Sequence, residues 1–241
     1  MARRPVFIPR CDGHGLVEER SFEFRWAPGF AATQKQKNVR ALHEKARAAG
    51  LAHILEISSK SDDAVGRRLS AFSLQIELAG SVCPLESVCQ GAKVFARSGG
   101  PFPDIRTWAP RAARRFVRAD QDEAVIRFEL EGRRYPLEPR TAFCDWLYIR
   151  SLVDHAEWIA ETVDFDAFTD IEFNPKRQIN CQARAFAEVR SLMARPEDGS
   201  VLRTAATDFD HFVSLLPAGP QARPPAPPLP LFDRCAEHGF A

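Results

Sequence analysis

Apolar and polar residues alternate along SFEFRW (21–26), with Phe22, Phe24 and Trp26 on one side and Glu23 and Arg25 on the other. That period of two predicts a short half-buried strand, and Pro28-Gly29 stops it. Thr33 then stands as the N-cap of a helix over 34–48 that Gly50 ends. LAHILEISSKS (51–61) is an apolar run decaying into serines: a strand leading into a polar loop of Asp62, Asp63 and Gly66, which LSAFSL (69–74) closes. A second helix opens at Cys83-Pro84, where proline suits the first turn, and is expected to run to Gly99-Gly100-Pro101. AVIRFEL-EG-RRYPL (124–137) has the form of a hairpin, and a long helix follows from Thr141 to Val163. FTDIEF (168–173) is a short strand broken by Asn174-Pro175, and a last strong helix covers about 179–194.

From Leu216 the chain becomes proline-dense, LPAGPQARPPAPPLPLF, which suits neither a helix nor a central strand. The pattern is therefore a helix-rich α+β single domain over 1–215 with a proline-rich C-terminal arm over 216–241. Formal net charge is only +1, which excludes coating nucleic acid by bulk electrostatics. Any such contact must come from local basic segments: Arg67-Arg68, the run Arg111, Arg114, Arg115 and Arg118, Arg133-Arg134, or Lys176-Arg177. MARRPVFIPR lacks the apolar core of a signal peptide and no window approaches a membrane span, so the expectation is a cytoplasmic protein. Cysteines at 11, 83, 89, 144, 181 and 235 form no CxxC pair and are expected as free thiols. Cys11 and His14 have no second pair at ligand spacing, so neither a metal site nor a cofactor is expected.

On a helix turning about 100° per residue, Glu86, Gln90 and Lys93 fall within an arc of roughly 60°, three hydrogen-bonding side chains on one face. Further polar candidates are Lys60 at a strand end, Asp170 in a short strand, and Asn180 with Gln182 at a helix start. Taken alone, these residues read equally as caps, turns and surface charge, with Glu86 favoured by the helix dipole.

The order of these pieces resembles the NADAR family, whose best-known branch is YbiA-like. ESVCQGAK matches that family's helix S-E-H-Y-F-Q-x-x-K at Glu86, Gln90 and Lys93 in order and spacing. EISSKSDDAVGRRLSAF resembles its strand, polar loop and leucine-serine-aromatic step. DIEFNPKRQINCQARAFAEVR resembles its acidic segment and Asn-entered helix, through Asp170, Asn180 and Glu188-Val189-Arg190. The resemblance covers about residues 55–193. Two departures stand out: the aromatic pair after the glutamate is replaced by Ser87-Val88-Cys89, and glycines near the asparagine by Pro175-Lys176-Arg177. Stacking on a base or sugar would then fall to Phe95, Trp108, Trp146 or Tyr148. FEFRWAPGFAATQKQKNVRALH, GGPFPD and DWLYIRSL are similar to the subgroup encoded beside DarT-like DNA ADP-ribosyltransferase toxins.

That resemblance implies cleavage of a glycosidic C–N bond, removal of ADP-ribose from guanine in DNA, and an antitoxin role against a DarT-like toxin. It implies Glu86 as the carboxylate beside the anomeric carbon, Asp170 as the second acid, and Gln90 orienting water or sugar, with Ser59 in the binding loop. Lys93 would support Glu86 by its charge. Alternatively, Lys93 or Lys60 would form a Schiff base with a ring-opened ribose, which requires an unprotonated amine. Phosphates of ADP-ribose would be received by Arg67 and Arg68 or by the helix start near Asn180, and flanking DNA by Arg114, Arg115 and Lys176. Two rival readings stay open: an N-glycosidase of phosphorylated ribosyl intermediates such as riboflavin precursors, and a non-catalytic module that binds ADP-ribosylated ligand or the toxin.

Overall fold

A computed structural model describes residues 1–11, 15–118, 123–176, 178, 180–195 and 199–217. In chain order it contains β1 (Ala2–Pro9), β2 (Val17–Phe24), α1 (Ala32–Ala48), β3 (Ile54–Glu56), α2 (Ala64–Arg68), β4 (Gln75–Leu78), β5 (Ser81–Pro84), α3 (Leu85–Gly91) and β6 (Lys93–Phe95). There follow α4 (Pro110–Arg118), β7 (Val125–Leu130), β8 (Arg133–Tyr135), α5 (Ala142–Leu152), α6 (Ala156–Thr162), β9 (Ala167–Thr169), α7 (Gln182–Met193), α8 (Ser200–Thr207) and α9 (Phe209–Leu215). The fold is α+β, as the pattern predicts.

Among the described residues, the largest sheet has the order β2-β1-β9-β3, with β3 parallel to β9 and the other pairs antiparallel. Successive residues of β3 and β9 point to opposite faces, and both faces are covered. Ile54 and Ala167 pack with Val39, Leu42 and Ala46 of α1. Leu55 and Phe168 face the main core, where Phe168 meets Phe186 of α7 edge-on at 4.8 Å. Burial of a ring such as Phe186 stabilises the layer by about 2–3 kcal/mol.

Two hairpins, β4-β5 and β7-β8, close through the left-handed pairs Ala79-Gly80 and Glu131-Gly132. Their positive φ angles, 49° and 76°, then 50° and 77°, match the right-handed strand twist, so Glu-Gly does serve as a turn.

Several boundaries differ from expectation. β1 was not foreseen, and its Pro5 and Pro9 are unusual in an inner strand. Pairing with β9 reaches β1 only at Phe7, so Pro5 meets no ladder on that side. Thr33 is not a cap: α1 begins at Ala32 behind Ala31, with no side-chain cap. The polar loop after β3 instead folds into α2, whose N-cap Asp63 accepts from the Val65 amide. The 83–98 helix stops at Gly91, where a Cβ would lie 2.8 Å from the Phe102 carbonyl oxygen, and β6 follows. The 141–163 helix is broken by the 3₁₀ turn Val153–His155. Asn180 is not an N-cap, because α7 starts two residues later, at Gln182 behind Cys181, again with no side-chain cap. α8 and α9 were not foreseen. Beyond Pro217, the expected proline-rich arm lies outside the described residues.

Candidate active site

A short helix with buried Leu85 and Val88 on its core side leaves Glu86 and Gln90 on the other, and that face forms one wall of an open cleft. Gln90 Nε2 donates to Glu86 Oε1 at 3.0 Å, and Lys93 Nζ donates to Gln90 Oε1 at 2.7 Å. Lys93 belongs to β6, so the three side chains converge without sharing a helix. The direct cation on Glu86 is a different one: Arg114 Nε of α4 lies 3.2 Å from Oε1 of a side chain that is 12% exposed. Lys93 touches Glu86 only through Gln90.

The opposite wall comes from the segment after β9 and the start of α7. Asp170 is buried, and its Oδ1 accepts from the Glu172 amide at 3.0 Å. Its Oδ2 accepts from Gln182 Nε2 at 3.0 Å. The far end of the same amide, Gln182 Oε1, accepts from the Ala71 amide at 2.8 Å and from Ser70 Oγ at 3.3 Å. One side chain thus ties the LSAF step to the acidic segment. Burial pushes the Asp170 carboxyl up to about 7, against the opposing hydrogen bonds from Gln182 and Glu172.

Behind Asp170 sits a carboxyl that no motif singled out. Glu56 Oε1 accepts from Ser58 Oγ at 2.6 Å and the Ile171 amide at 2.9 Å, and its Oε2 from Thr169 Oγ1 at 2.7 Å. Thr169 Oγ1 also meets His43 Nε2 of α1 at 2.8 Å. Complete burial, with Asp170 nearby, raises Glu56 to about 8. Burial lowers His43 to about 4, so its ring is neutral. Asp145 of α5, also unforeseen, does line the cleft and is pushed up to about 6 by burial against the pull of Arg184. The signal for both was a lone carboxylate inside an apolar run, ILEI and FCDWLYI.

Of the expected residues, Glu86, Gln90, Asp170 and Asn180 line one cleft, together with Tyr148, Gln182 and Arg114. Tyr148 donates its phenol hydrogen to the Leu69 carbonyl at 2.6 Å. Lys60 and Ser59 stay on the loop after β3, outside the lining, where the Lys60 amide donates to Ser58 Oγ. Arg67 does not face the cleft: its Nη1 donates to the Ser61 and Asp62 carbonyls at 2.7 and 2.9 Å, clamping its own loop. Arg68 is spread over the Trp158 ring at 3.9 Å. Both guanidiniums are therefore spent on the fold rather than on phosphates. Trp146 is no stacking platform either, since it is 3% exposed and packs between Tyr135 and Phe209. Phe95 is likewise buried, and Trp108 lies exposed outside the lining. Phe72 and Phe173 supply the aromatic walls instead. Arg115 and Lys176 are exposed and do not line the cleft. Cys11 is exposed, and His14, the other member of that pair, lies outside the described residues.

Of the carboxyls that line the cleft, which also include Asp145 and Glu172, Glu86 and Asp170 stand in contrasting settings: Glu86 against a guanidinium, and Asp170 buried among neutral donors with its proton affinity raised. No helix among the described residues is long and apolar enough to cross a membrane. Residues 2–224 match the family described as DarT1-associated NADAR antitoxin, a span wider than the 55–193 over which motifs were legible. A comparison with curated proteins found no match.

Proposed function

The chain belongs to the DarT1-associated NADAR antitoxin family, and we propose that it is a hydrolase removing ADP-ribose from guanine bases in DNA, in the cytoplasm, so undoing the work of a DarT-like toxin. The observation that carries this reading is that Glu86 and Asp170, from distant parts of the chain, line one cleft in opposite electrostatic settings.

Breaking the bond between the ribose anomeric carbon and the exocyclic nitrogen of guanine builds positive charge on the ribose. Glu86 stabilises that charge and takes a proton from the attacking water. Asp170, with a proton affinity near neutrality, gives its proton to the departing nitrogen. Water's oxygen ends on the anomeric carbon, and the products are ADP-ribose and unmodified guanine. Gln90 orients Glu86 and the water. A lysine imine is less favoured, since neither Lys60 nor Lys93 lines the cleft and Lys93 Nζ is engaged by Gln90. With Arg67 and Arg68 occupied, the uncapped start of α7 beside Asn180 is the better phosphate receiver.

The test is incubation of the full chain, wild type beside Glu86→Gln, with guanine-ADP-ribosylated single-stranded DNA. Release of free ADP-ribose and unmodified DNA by the wild type alone is expected. Cleavage of a phosphorylated ribosyl riboflavin precursor, with the DNA left untouched, would transfer the assignment to a small-molecule glycosidase. Protection of cells by Glu86→Gln equal to wild type would make the protein a binding module.

A further inference from the structure

Helix α4, PRAARRFVR, carries four arginines and no acid. At about 100° per residue, Arg111, Arg114, Arg115 and Arg118 occupy an arc of roughly 100°, away from the buried Ala113 and Val117. Arg114 sits at the edge nearest the cleft, against Glu86 and 5.4 Å from the centre of the half-exposed Phe72 ring. Arg111 and Arg115 are exposed and pair with no carboxylate among the described residues. On the far edge of the same helix, Phe116 is 44% exposed and meets Trp108, 40% exposed, edge-on at 5.6 Å. The two rings thus form a small exposed aromatic patch beside guanidiniums that no carboxylate among the described residues neutralises.

This face is fixed to the cleft. Ser87, the residue after Glu86, donates its hydroxyl to the Trp108 carbonyl at 2.7 Å, which ties the platform to the helix of the candidate carboxylate. From Arg114, around the outside of α4 to Phe116, the path covers about half the circumference of a helix some 10–12 Å across, on the order of 17 Å.

We infer that α4 and Trp108 form a binding platform for single-stranded nucleic acid, leading into the cleft. Arg111 and Arg115 hold backbone phosphates, and Trp108 and Phe116 stack on unpaired bases a few nucleotides from the cleft. Exposed rings interleaved with arginines suit an unpaired strand, whose bases present free faces, and not a duplex, whose bases are already stacked. The inference deepens the hydrolase reading, which supplies the base in the cleft, but it is tested apart from turnover.

The experiment is fluorescence anisotropy with a labelled, unmodified oligothymidine of about 12 nucleotides, against a duplex of the same length. The full chain is compared with the double variant Arg111→Glu/Arg115→Glu and with Phe116→Ala, the folding of each checked by thermal melting. The wild type is expected to prefer the single strand. The charge variant should weaken binding by about tenfold or more and flatten the log–log salt slope by about 1.4, from two lost phosphate contacts. Phe116→Ala should weaken binding on the order of tenfold with the slope unchanged. Equal affinity for the duplex, wild-type affinity in either variant, or no measurable binding by the wild type overturns the platform. Wild-type turnover of ADP-ribosylated guanosine, which has no flanking strand, is measured in parallel. Turnover of the nucleoside would show that the cleft alone suffices for chemistry; failure on both the nucleoside and guanine-ADP-ribosylated single-stranded DNA would sink the hydrolase reading and leave the platform result standing.

Discussion

Gln182 and Asp170 are joined by a 3.0 Å hydrogen bond from the side-chain amide, while the other end of that amide holds the Ala71 backbone. The donor end partly offsets the rise that burial imposes on the Asp170 carboxyl. Removing it should therefore move Asp170 further up, not down. In Gln182→Ala, the alkaline limb of kcat against pH is expected to shift to higher pH. Stability should fall by about 1–2 kcal/mol, because the Ala71 amide loses its acceptor. A pH–rate profile beside a urea titration reads both effects. An unmoved or lowered limb would remove Asp170 from the rate-limiting proton transfer.

For the wild type, a general acid with its proton affinity near 7 sets the direction of the pH dependence. Below about 7 Asp170 holds the proton the leaving nitrogen needs, and above it the rate should fall about tenfold per pH unit. Asp170→Asn should lose about 10²–10⁴ in kcat and show no such limb. A surviving limb in that variant would assign the acid elsewhere, with Asp145 next in line.

Glu56 offers a stability test independent of turnover. Its folded-state affinity, raised to about 8 from an ordinary 4.5, means the folded chain binds a proton the unfolded chain has released. Its contribution is complete below about 4.5 and is lost as pH rises through about 8. Glu56→Gln keeps one acceptor for Ser58 and Ile171, and the neutral His43 ring can accept from Thr169 if that hydroxyl reverses. The variant should lose less stability than wild type between pH 6 and 9. Urea midpoints that fall equally in both proteins would show that Glu56 is not the group responsible.

Local pattern carried some parts of this molecule and not others. The β7-β8 hairpin was legible because its turn chemistry and alternation agree. Glu86, Gln90 and Asp170 were legible through spacing and resemblance. The end of α3 was hidden, since the Gly91 carbonyl is taken by the Phe102 amide and the Phe95 amide by the Gly99 carbonyl, partners that helical periodicity does not show. Arg67 and Arg68 were misplaced for a similar reason. A loop arginine looks free in sequence, but here one is captured by two carbonyls and the other by Trp158, distant in the chain. Glu56 and Asp145 went unremarked because a carboxylate in an apolar run declares burial without naming its neighbours.

Trp146 gives the sharpest contrast between the two kinds of reading, since sequence made it a candidate for stacking on substrate. In the fold its ring lies 5.3 Å from Tyr135 and 5.6 Å from Phe209, and its Nε1 finds no partner among the described residues. A phenyl ring would fill most of the same space and remove an unsatisfied donor, so Trp146→Phe should cost only about 1–2 kcal/mol. Trp146→Ala should cost about 3–5 kcal/mol through the cavity it leaves. Neither change touches the cleft, so KM for ADP-ribosylated DNA should stay within about twofold of wild type in Trp146→Phe, assayed well below its melting temperature. A rise in KM of tenfold or more, with stability nearly unchanged, would return Trp146 to the substrate and require the α5 surface to open when substrate binds.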